Sequence, residues 1–266
     1  MLAPGRHLPP RFLCRHREHT PEFGVTVPRQ DSHSLVFDAS RRLVSSWADR
    51  FLDLLFPSHC AGCGRLGPVW CSTCQGRLQR LEGRLCPTCG MPTHGRGRCR
   101  TGLDFPVRSY ARYRGPLVRA VLHLKYRPND CLAAVMGEWL ASVARREGWP
   151  PTLIVAVPLA PERRHRRGYN QAALIAAHLA ASLDLPSTEA ALTRIRETRS
   201  QVGLDGAARQ QNVAGAFQAD ARILRDSTVC LVDDLCTTGA TLMACGRACV
   251  EADARAVYGL TVGRAG

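Results

Sequence analysis

Two adjacent carboxylates, Asp233 and Asp234, come directly after a short apolar run and just before a turn rich in hydroxyl groups. The apolar run, residues 229–232, has the composition of a strand buried in a parallel sheet, and such sheets bind ligands beyond the carboxyl ends of their strands. The turn, residues 237–241, offers hydroxyls, a glycine and the free amides of a following helix, which together favour a phosphate. Carboxylates suit the vicinal hydroxyls of a sugar. The stretch therefore predicts a site for a phosphorylated ribose.

The same stretch resembles the phosphoribosyltransferase signature for phosphoribosyl pyrophosphate (PRPP), which is an apolar strand, two acids and a Thr-Thr-Gly-Ala-Thr-like loop. The residues on signature positions are Asp233, Asp234, Thr237, Thr238, Gly239 and Thr241, with Ala240 among them. The resemblance implies that all seven contact PRPP, that the two acids act in catalysis, and that Mg²⁺ accompanies the pyrophosphate. The alternative is an ordinary strand–turn–helix corner with an acidic tip. A nucleotide P-loop is excluded, because no G-x-x-x-x-G-K-[ST] motif occurs.

Basic residues are the second feature with chemical meaning. The chain has 36 basic and 22 acidic residues, a net charge of +14, which favours polyanions such as nucleic acid or phosphorylated small molecules, unless it is only a solvated arginine-rich surface. The predicted loop after the strand at 153–157 lies where the resemblance places the pyrophosphate. It carries four candidate ligands, because one guanidinium can bind two phosphate oxygens: Arg163, Arg164, Arg166 and Arg167. The alternative is a solvated basic loop. Lys125 is the only lysine, which indicates a role that a planar guanidinium cannot fill, and we count it among the candidate PRPP ligands.

Cysteines form two sets with metal-ligand spacing. The first set, with two Cys-x2-Cys pairs, is complete for one tetrahedral zinc: Cys60, Cys63, Cys71 and Cys74. The second set has three members, Cys86, Cys89 and Cys99, and Gly102 stands where the spacing would put a fourth. This second site is either degenerate or completed by a residue such as His94. We expect zinc to stabilise a segment too small to form its own core.

The remaining pattern indicates the elements that must position these residues. Strands are predicted over residues 107–113, 153–157, 229–233 and 257–262, and helices over 116–124, 132–146, 171–183 and 241–251. Strands that alternate with helices predict an α/β domain with a parallel sheet. We expect four segments: a disordered extension over 1–40, an amphipathic helix over 41–58, a zinc ribbon over 59–103 and the α/β domain over 104–266.

A zinc ribbon followed by a PRPP signature resembles the ComF family, and further segments agree over about residues 50–266. These are residues 53–57, 124–126 and 163–171, Thr198 with Gln201, Arg209 with Asn212 and Val213, residues 215–217, and Thr261 with Arg264. The resemblance implies a type I phosphoribosyltransferase-like fold with helices on both faces of the sheet, and a mobile loop over 198–209 that closes over substrate. It leaves the acceptor of any transfer unknown.

The family resemblance also implies a role in natural competence, in the handling of incoming single-stranded DNA, or in the use of external DNA and nucleobases. Two functions therefore stand side by side: a phosphoribosyltransferase, and a non-catalytic factor that binds single-stranded DNA and takes PRPP only as a ligand, either one acting with the competence machinery. No signal peptide occurs in residues 1–20 and no apolar run reaches membrane-spanning length, so we expect a cytoplasmic protein with no membrane contact.

Overall fold

The computed structural model describes residues 58–92, 99, 101, 103–196 and 215–266. The predicted extension over 1–40, the amphipathic helix up to residue 57, His94, Gly102 and the predicted mobile loop over 198–209 lie outside the described residues. Residues 58–266 belong to one compact unit.

Helices and strands alternate through most of the described chain. The helices are α1 Ser72–Gly76, α2 Pro116–Tyr126, α3 Asp130–Glu147, α4 Pro161–Arg167, α5 Gln171–Leu183, α6 Ala221–Leu224 and α7 Ala240–Glu251. The strands are β1 Val107–Arg112, β2 Leu153–Ala156, β3 Ser187–Thr188, β4 Leu192–Arg194, β5 Phe217–Ala219, β6 Thr228–Cys236 and β7 Ala256–Arg264.

Five of the strands form one parallel sheet in the order β1-β7-β6-β2-β3, and β4 and β5 form a separate antiparallel pair. Strand β6 is central and pairs with β2 and β7, with Val232 opposite Ala156 on one side and Leu260 on the other. Parallel neighbours end at the same edge of a sheet. The residues after β2, β6 and β7 therefore meet there, at the carboxyl edge.

Helices cover both faces of this sheet, and alternate strand residues supply the two cores. On one face Ile154, Cys230 and Val232 pack against α2, α3 and α5. On the other face Val155 and Leu231 pack against α7 and the β4–β5 pair. A strand buried on both sides has no polar face, which is why β6 reads as a continuous apolar run. The predicted α/β fold, with helices on both faces and a zinc ribbon before it, is confirmed.

The cysteine-rich segment closes one edge of the sheet. The amide of Leu81 donates to the carbonyl of Tyr110 over 3.0 Å, and the amide of Arg112 donates to the carbonyl of Gln79 over 2.8 Å, so this segment pairs with edge strand β1. Gln75 donates to the hydroxyl of Tyr110 over 2.8 Å. Because exposed edges invite unwanted strand pairing, this cover also protects the sheet.

Each strand and helix predicted for the α/β domain is present, with ends that differ by up to three residues. One prediction was wrong: the arginine loop is the helix α4. Its seven residues begin with Pro161, a residue suited to the first turn, and end before Gly168, whose φ of 75° is a left-handed conformation. The helical period was too short to show in the sequence.

Candidate functional site at the carboxyl edge of the sheet

The turn after β6 is held in a shape suited to an anion. We call residues 237–241 the TTGAT loop. Gly239 has φ 85° and precedes α7, and the amide of Ala240 donates to Oγ1 of Thr238 over 3.3 Å. The loop and the end of β6 line a shallow, open hollow. The free amides at the start of α7 lie beside this hollow, which favours negative charge there.

The two acids differ in their surroundings. Asp234 is 5% exposed, and Nζ of Lys125 lies 3.1 Å from its Oδ2. The alignment of this contact is poor for a hydrogen bond, so we describe it as an ion pair. Asp233 is half-buried, and its Oδ1 accepts the backbone amide of Asp234 over 2.8 Å.

The pKa values of Asp233 and Lys125 are both shifted by burial and by neighbouring charges. Burial, and then the neighbouring Asp234 carboxylate, raise the pKa of Asp233 well above its ordinary value. Burial by itself would lower the pKa of Lys125, but Asp234 and then Asp233 outweigh it and raise the pKa, so the ammonium stays charged. The structure thus brings the lone lysine to the two acids, although more than 100 residues separate them in the chain.

The arginine helix α4 follows β2 at the same edge. The amide of Val157 donates to the carbonyl of Val232 over 2.9 Å, and Nδ2 of Asn170 donates to the carbonyl of Val157 over 3.1 Å. These bonds hold both ends of the α4 segment to the end of β2. The hydroxyl of Tyr169 donates to the carbonyl of Leu124 over 2.6 Å, which joins the segment to the end of α2, beside Lys125.

The four arginines of α4 have different partners. Arg164 forms an ion pair with Glu189. Arg167 donates to Oε1 of Gln171 over 2.9 Å, and its guanidinium lies 5.8 Å from the ring centre of Tyr126, which is 73% exposed. Within the described part of the chain, Arg163 and Arg166 form no ion pair. Two of the four therefore have partners within the protein, and the other two have no ion-pair partner among the described residues.

Sequence reasoning assigned no role to two residues near the acids. Arg264, at the end of β7, is 3% exposed; it donates to Sγ of Cys236, and its Nε has no partner among the described residues. The pKa of Tyr113 is raised by burial, lowered by Lys125 and raised again by Asp234, so this phenol also lies near the ion pair. The sequence signal for Arg264 was its position directly after the apolar strand predicted over 257–262.

The first cysteine set fits zinc. The four sulfurs lie within 4.8 Å of one another, and the Cys60–Cys74 and Cys63–Cys71 sulfur pairs are 3.7 and 3.8 Å apart. A tetrahedron with Zn–S bonds of about 2.3 Å has sulfurs about 3.8 Å apart. The amide of Cys71 also donates to Sγ of Cys60 over 3.4 Å, which stabilises a thiolate. Four thiolates close the coordination shell, so this set is structural.

The second set is also assembled. The sulfurs of Cys86, Cys89 and Cys99 lie within 4.8 Å of one another. Oγ1 of Thr101 lies 3.0 Å from Sγ of Cys99. The two residues considered for the fourth position, His94 and Gly102, lie outside the described residues, and the described part of the chain supplies three thiols.

Comparison with known proteins agrees with this architecture. The family model described as a double zinc ribbon domain matches residues 51–102. The chain is 34% identical to DNA utilization protein YhgH of Salmonella typhi over 183 residues, which is 65% of this chain and 80% of that protein. It is 40% identical to competence protein F of Haemophilus influenzae over 94 residues, which is 35% of this chain and 41% of that protein.

The chain is also similar to a solved structure, that of the allosteric regulatory enzyme of purine biosynthesis. The match covers 53% of this chain and 30% of that chain, with a TM-score of 0.37 and 17% sequence identity. The fold and the cysteine sets define an α/β protein with an N-terminal zinc ribbon. With the sequence relatives, they establish that the chain belongs to the ComF family. Among the described helices, none has both the length and the apolar character needed to cross a membrane.

Proposed function

We propose that the protein binds PRPP with Mg²⁺ at the carboxyl edge of the sheet and transfers its phosphoribosyl group to an acceptor. One observation carries the proposal: Asp233 and Asp234 end the central strand, and the TTGAT loop joins them to the N-terminus of α7. The loop supports an assignment to the 5-phosphate, and the acids support an assignment to the ribose hydroxyls.

Transfer breaks the bond between C1 of the ribose and the pyrophosphate oxygen, and the pyrophosphate leaves with the electron pair. C1 then bonds to the acceptor's nucleophilic atom, whose proton passes to solvent. Mg²⁺, when bound with PRPP, supplies positive charge to the departing pyrophosphate. The residues that would stabilise the same charge are Lys125 and the four arginines of α4, two of which have no ion-pair partner among the described residues.

Charge explains why Lys125 pairs with Asp234 in the free protein. A half-buried ammonium next to two acids is stabilised by them, and it stays in place until an anion arrives. When pyrophosphate binds, the ammonium can share its charge with the ligand. A lysine suits this role because its three donors rotate on a flexible stem, whereas the donors of arginine are fixed in a plane.

The names of the relatives support a setting for the reaction. DNA utilization protein YhgH is named for the use of DNA, and competence protein F is named for competence. We therefore propose that this protein acts when external DNA or its nucleobases are taken up or used. The site lies within the compact unit that begins at Ser58.

Calorimetry with Mg²⁺ and PRPP tests the binding. We expect wild-type protein to bind, and Asp233→Asn with Asp234→Asn to lower affinity at least a hundredfold. The matched control is Asp226→Asn with Asp253→Asn, which also removes two charges, but before β6 and β7 at the opposite edge of the sheet. Both control residues have positive φ, near 60°, a conformation that asparagine tolerates well.

Pyrophosphate release in the presence of candidate nucleobases then tests the transfer. The transferase proposal is supported if pyrophosphate release requires both PRPP and an acceptor. Release should also be lost in the acid variant and kept in the control variant. If wild-type protein and the acid variant bind PRPP equally, the assignment of the site is wrong. If PRPP binds but no acceptor yields pyrophosphate, the transferase proposal gives way to the second candidate.

That second candidate is a factor that binds single-stranded DNA and takes PRPP as a ligand. Arg163 and Arg166 favour it, because they have no ion-pair partner among the described residues. Tyr126 also favours it, because its exposed ring lies beside Arg167 and offers a surface for a base to stack on. Because both polyanions would bind the same guanidinium groups, saturating PRPP should weaken DNA binding, and DNA should weaken PRPP binding by the same factor.

A labelled oligonucleotide titrated with and without PRPP measures this coupling. We expect affinity to fall steeply with salt and to fall further with PRPP. If affinity responds neither to PRPP nor to replacement of the four arginines by alanine, α4 is not the DNA site.

A further inference from the structure

The residues that follow the second cysteine set pack directly on the TTGAT loop. The side chain of Leu103 lies over Gly239, so that a Cβ atom added to this glycine would come within 2.9 Å of Cδ2 of Leu103. Gly239 is the residue that turns the chain from β6 into α7, with φ 85°. The position of Leu103 therefore limits where the loop can lie.

The next two residues continue along α7. Oδ2 of Asp104 lies 3.5 Å from Nε of Arg247. The ring of Phe105 packs on Gly246, where an added Cβ atom would overlap it. Residues 103–105 thus contact both the residue that precedes α7 and the middle of this helix. A shift of this segment must therefore shift the helix or break the packing.

The second cysteine set anchors the same segment. Cys99 precedes Leu103 by four residues, and Cys86, Cys89 and Cys99 contact the apolar cluster that contains Leu103, Phe105 and the start of α7. After the segment, the amide of Val107 donates to the carbonyl of Thr88, between Cys86 and Cys89, over 2.7 Å. The segment therefore shares an apolar cluster with the set and is followed by a bond to a residue that lies between two of its cysteines.

We propose that a divalent, thiophilic metal at the second cysteine set positions the TTGAT loop through Leu103. The first set differs, because its four thiolates form a closed shell. Among the described residues, the second set supplies three thiolates. Metal availability then acts on the loop, and, where the proposed PRPP function holds, on PRPP affinity. By linkage, PRPP would raise metal affinity by the same factor.

Hydrogen exchange on the full chain tests the inference without reference to PRPP. Protein is brought to one zinc equivalent with a chelator, followed by elemental analysis, and is then titrated with zinc chloride. We expect a second equivalent to bind and to slow amide exchange in residues 237–243 about tenfold, with the amides of β2 unchanged. If no second equivalent binds, or if it binds and exchange in the loop stays the same, the inference is overturned.

Two leucine variants distinguish an effect of Leu103 on the position of the TTGAT loop from a general loss of stability. Leu103→Ala removes the side chain that lies on Gly239, whereas Leu81→Ala removes a buried leucine of the same cysteine-rich segment that pairs with β1. We expect Leu103→Ala to bind the second zinc but lose the tenfold response in the loop, and Leu81→Ala to keep it. An intact response in Leu103→Ala contradicts the role of this residue.

The PRPP measurement extends the test and keeps the two proposals distinct. With Mg²⁺ and PRPP, we expect the second zinc equivalent to raise PRPP affinity about tenfold in wild-type protein and less than twofold in Leu103→Ala. If wild-type protein does not bind PRPP, the proposed function fails, while the exchange experiment still decides whether metal positions the loop. If PRPP binds equally at one and two equivalents, the coupling to the ligand is refuted.

Discussion

The TTGAT loop and the arginine helix α4 follow neighbouring strands at one edge of the sheet, but they are held in different ways. The loop continues a central strand, and its Gly239 and Ala240 are buried beneath Leu103. Helix α4 buries none of its residues and is fixed mainly at its two ends, by the turn after β2 and by Asn170. The loop thus has a fixed shape, whereas α4 presents charge on an open surface.

This difference has a chemical counterpart. A rigid loop of amides and hydroxyls selects for the shape of one phosphate group, because its donors cannot move apart. Long arginine side chains on an exposed helix select for charge and adapt to many anions. We therefore expect changes in the loop to affect a small ligand through shape, and changes in α4 to affect a polymer through charge.

The largest effect should come from removing the charge of α4. Alanine at positions 163, 164, 166 and 167 should lower single-stranded DNA affinity about a hundredfold in low salt. The slope of log affinity against log salt should fall by about three, since each phosphate contact contributes about 0.7. Fluorescence titration at several salt concentrations measures both, and an unchanged slope would mean that DNA binds elsewhere.

Two glycines with positive φ, Gly239 and Gly168, allow a matched test of whether the shape of the TTGAT loop determines PRPP affinity. Gly239→Ala places a methyl group against Leu103 and should lower PRPP affinity about tenfold. Gly168→Ala, at the end of α4, has the same backbone strain but open space around it, so PRPP affinity should change less than twofold. Both should lose about 1 kcal/mol of stability, because alanine is strained at positive φ. If the two variants bind PRPP with equal affinity, the shape of the TTGAT loop does not determine PRPP binding.

Asp233, a residue of the proposed site, should lower the stability of the folded protein. Its pKa is raised in the folded protein, so above the ordinary pKa of aspartate the unfolded chain gives up this proton more readily and the folded state is penalised. Asp233→Asn removes that penalty, and we expect the Tm to rise by about 2–4 °C at pH 8, corresponding to about 1 kcal/mol, and by less at pH 5. Asp234→Asn should instead lower the Tm, because it leaves Lys125 half-buried without its partner. Thermal melts at both pH values check the signs.

The smallest effect concerns the ion pair on α4. Glu189→Gln removes the partner of Arg164 and frees one more guanidinium. We expect DNA affinity to rise about two- to threefold and stability to change by less than about 0.5 kcal/mol, because the pair is about half exposed. A fall in DNA affinity would show that Glu189 orients Arg164 rather than occupying it.

Local patterns in the sequence determined the elements and the chemistry of each segment. The apolar run before Asp233, the hydroxyls and glycine of residues 237–241, and the paired cysteines are all features of short stretches whose physical preferences hold without distant partners. For the same reason the sequence indicated a parallel α/β sheet. It missed the helical form of α4, because seven residues are too few to show a period.

Which of these segments meet was decided only by the tertiary structure. The pairing of Lys125 with Asp234, the burial of Arg264 beside Cys236, and the packing of Leu103 on Gly239 each join residues between 28 and 136 positions apart in the chain. Contacts of this kind depend on the order of strands in the sheet and on how helices pack across it. No local preference encodes them, because the energy of burying and pairing these side chains exists only once the sheet has formed.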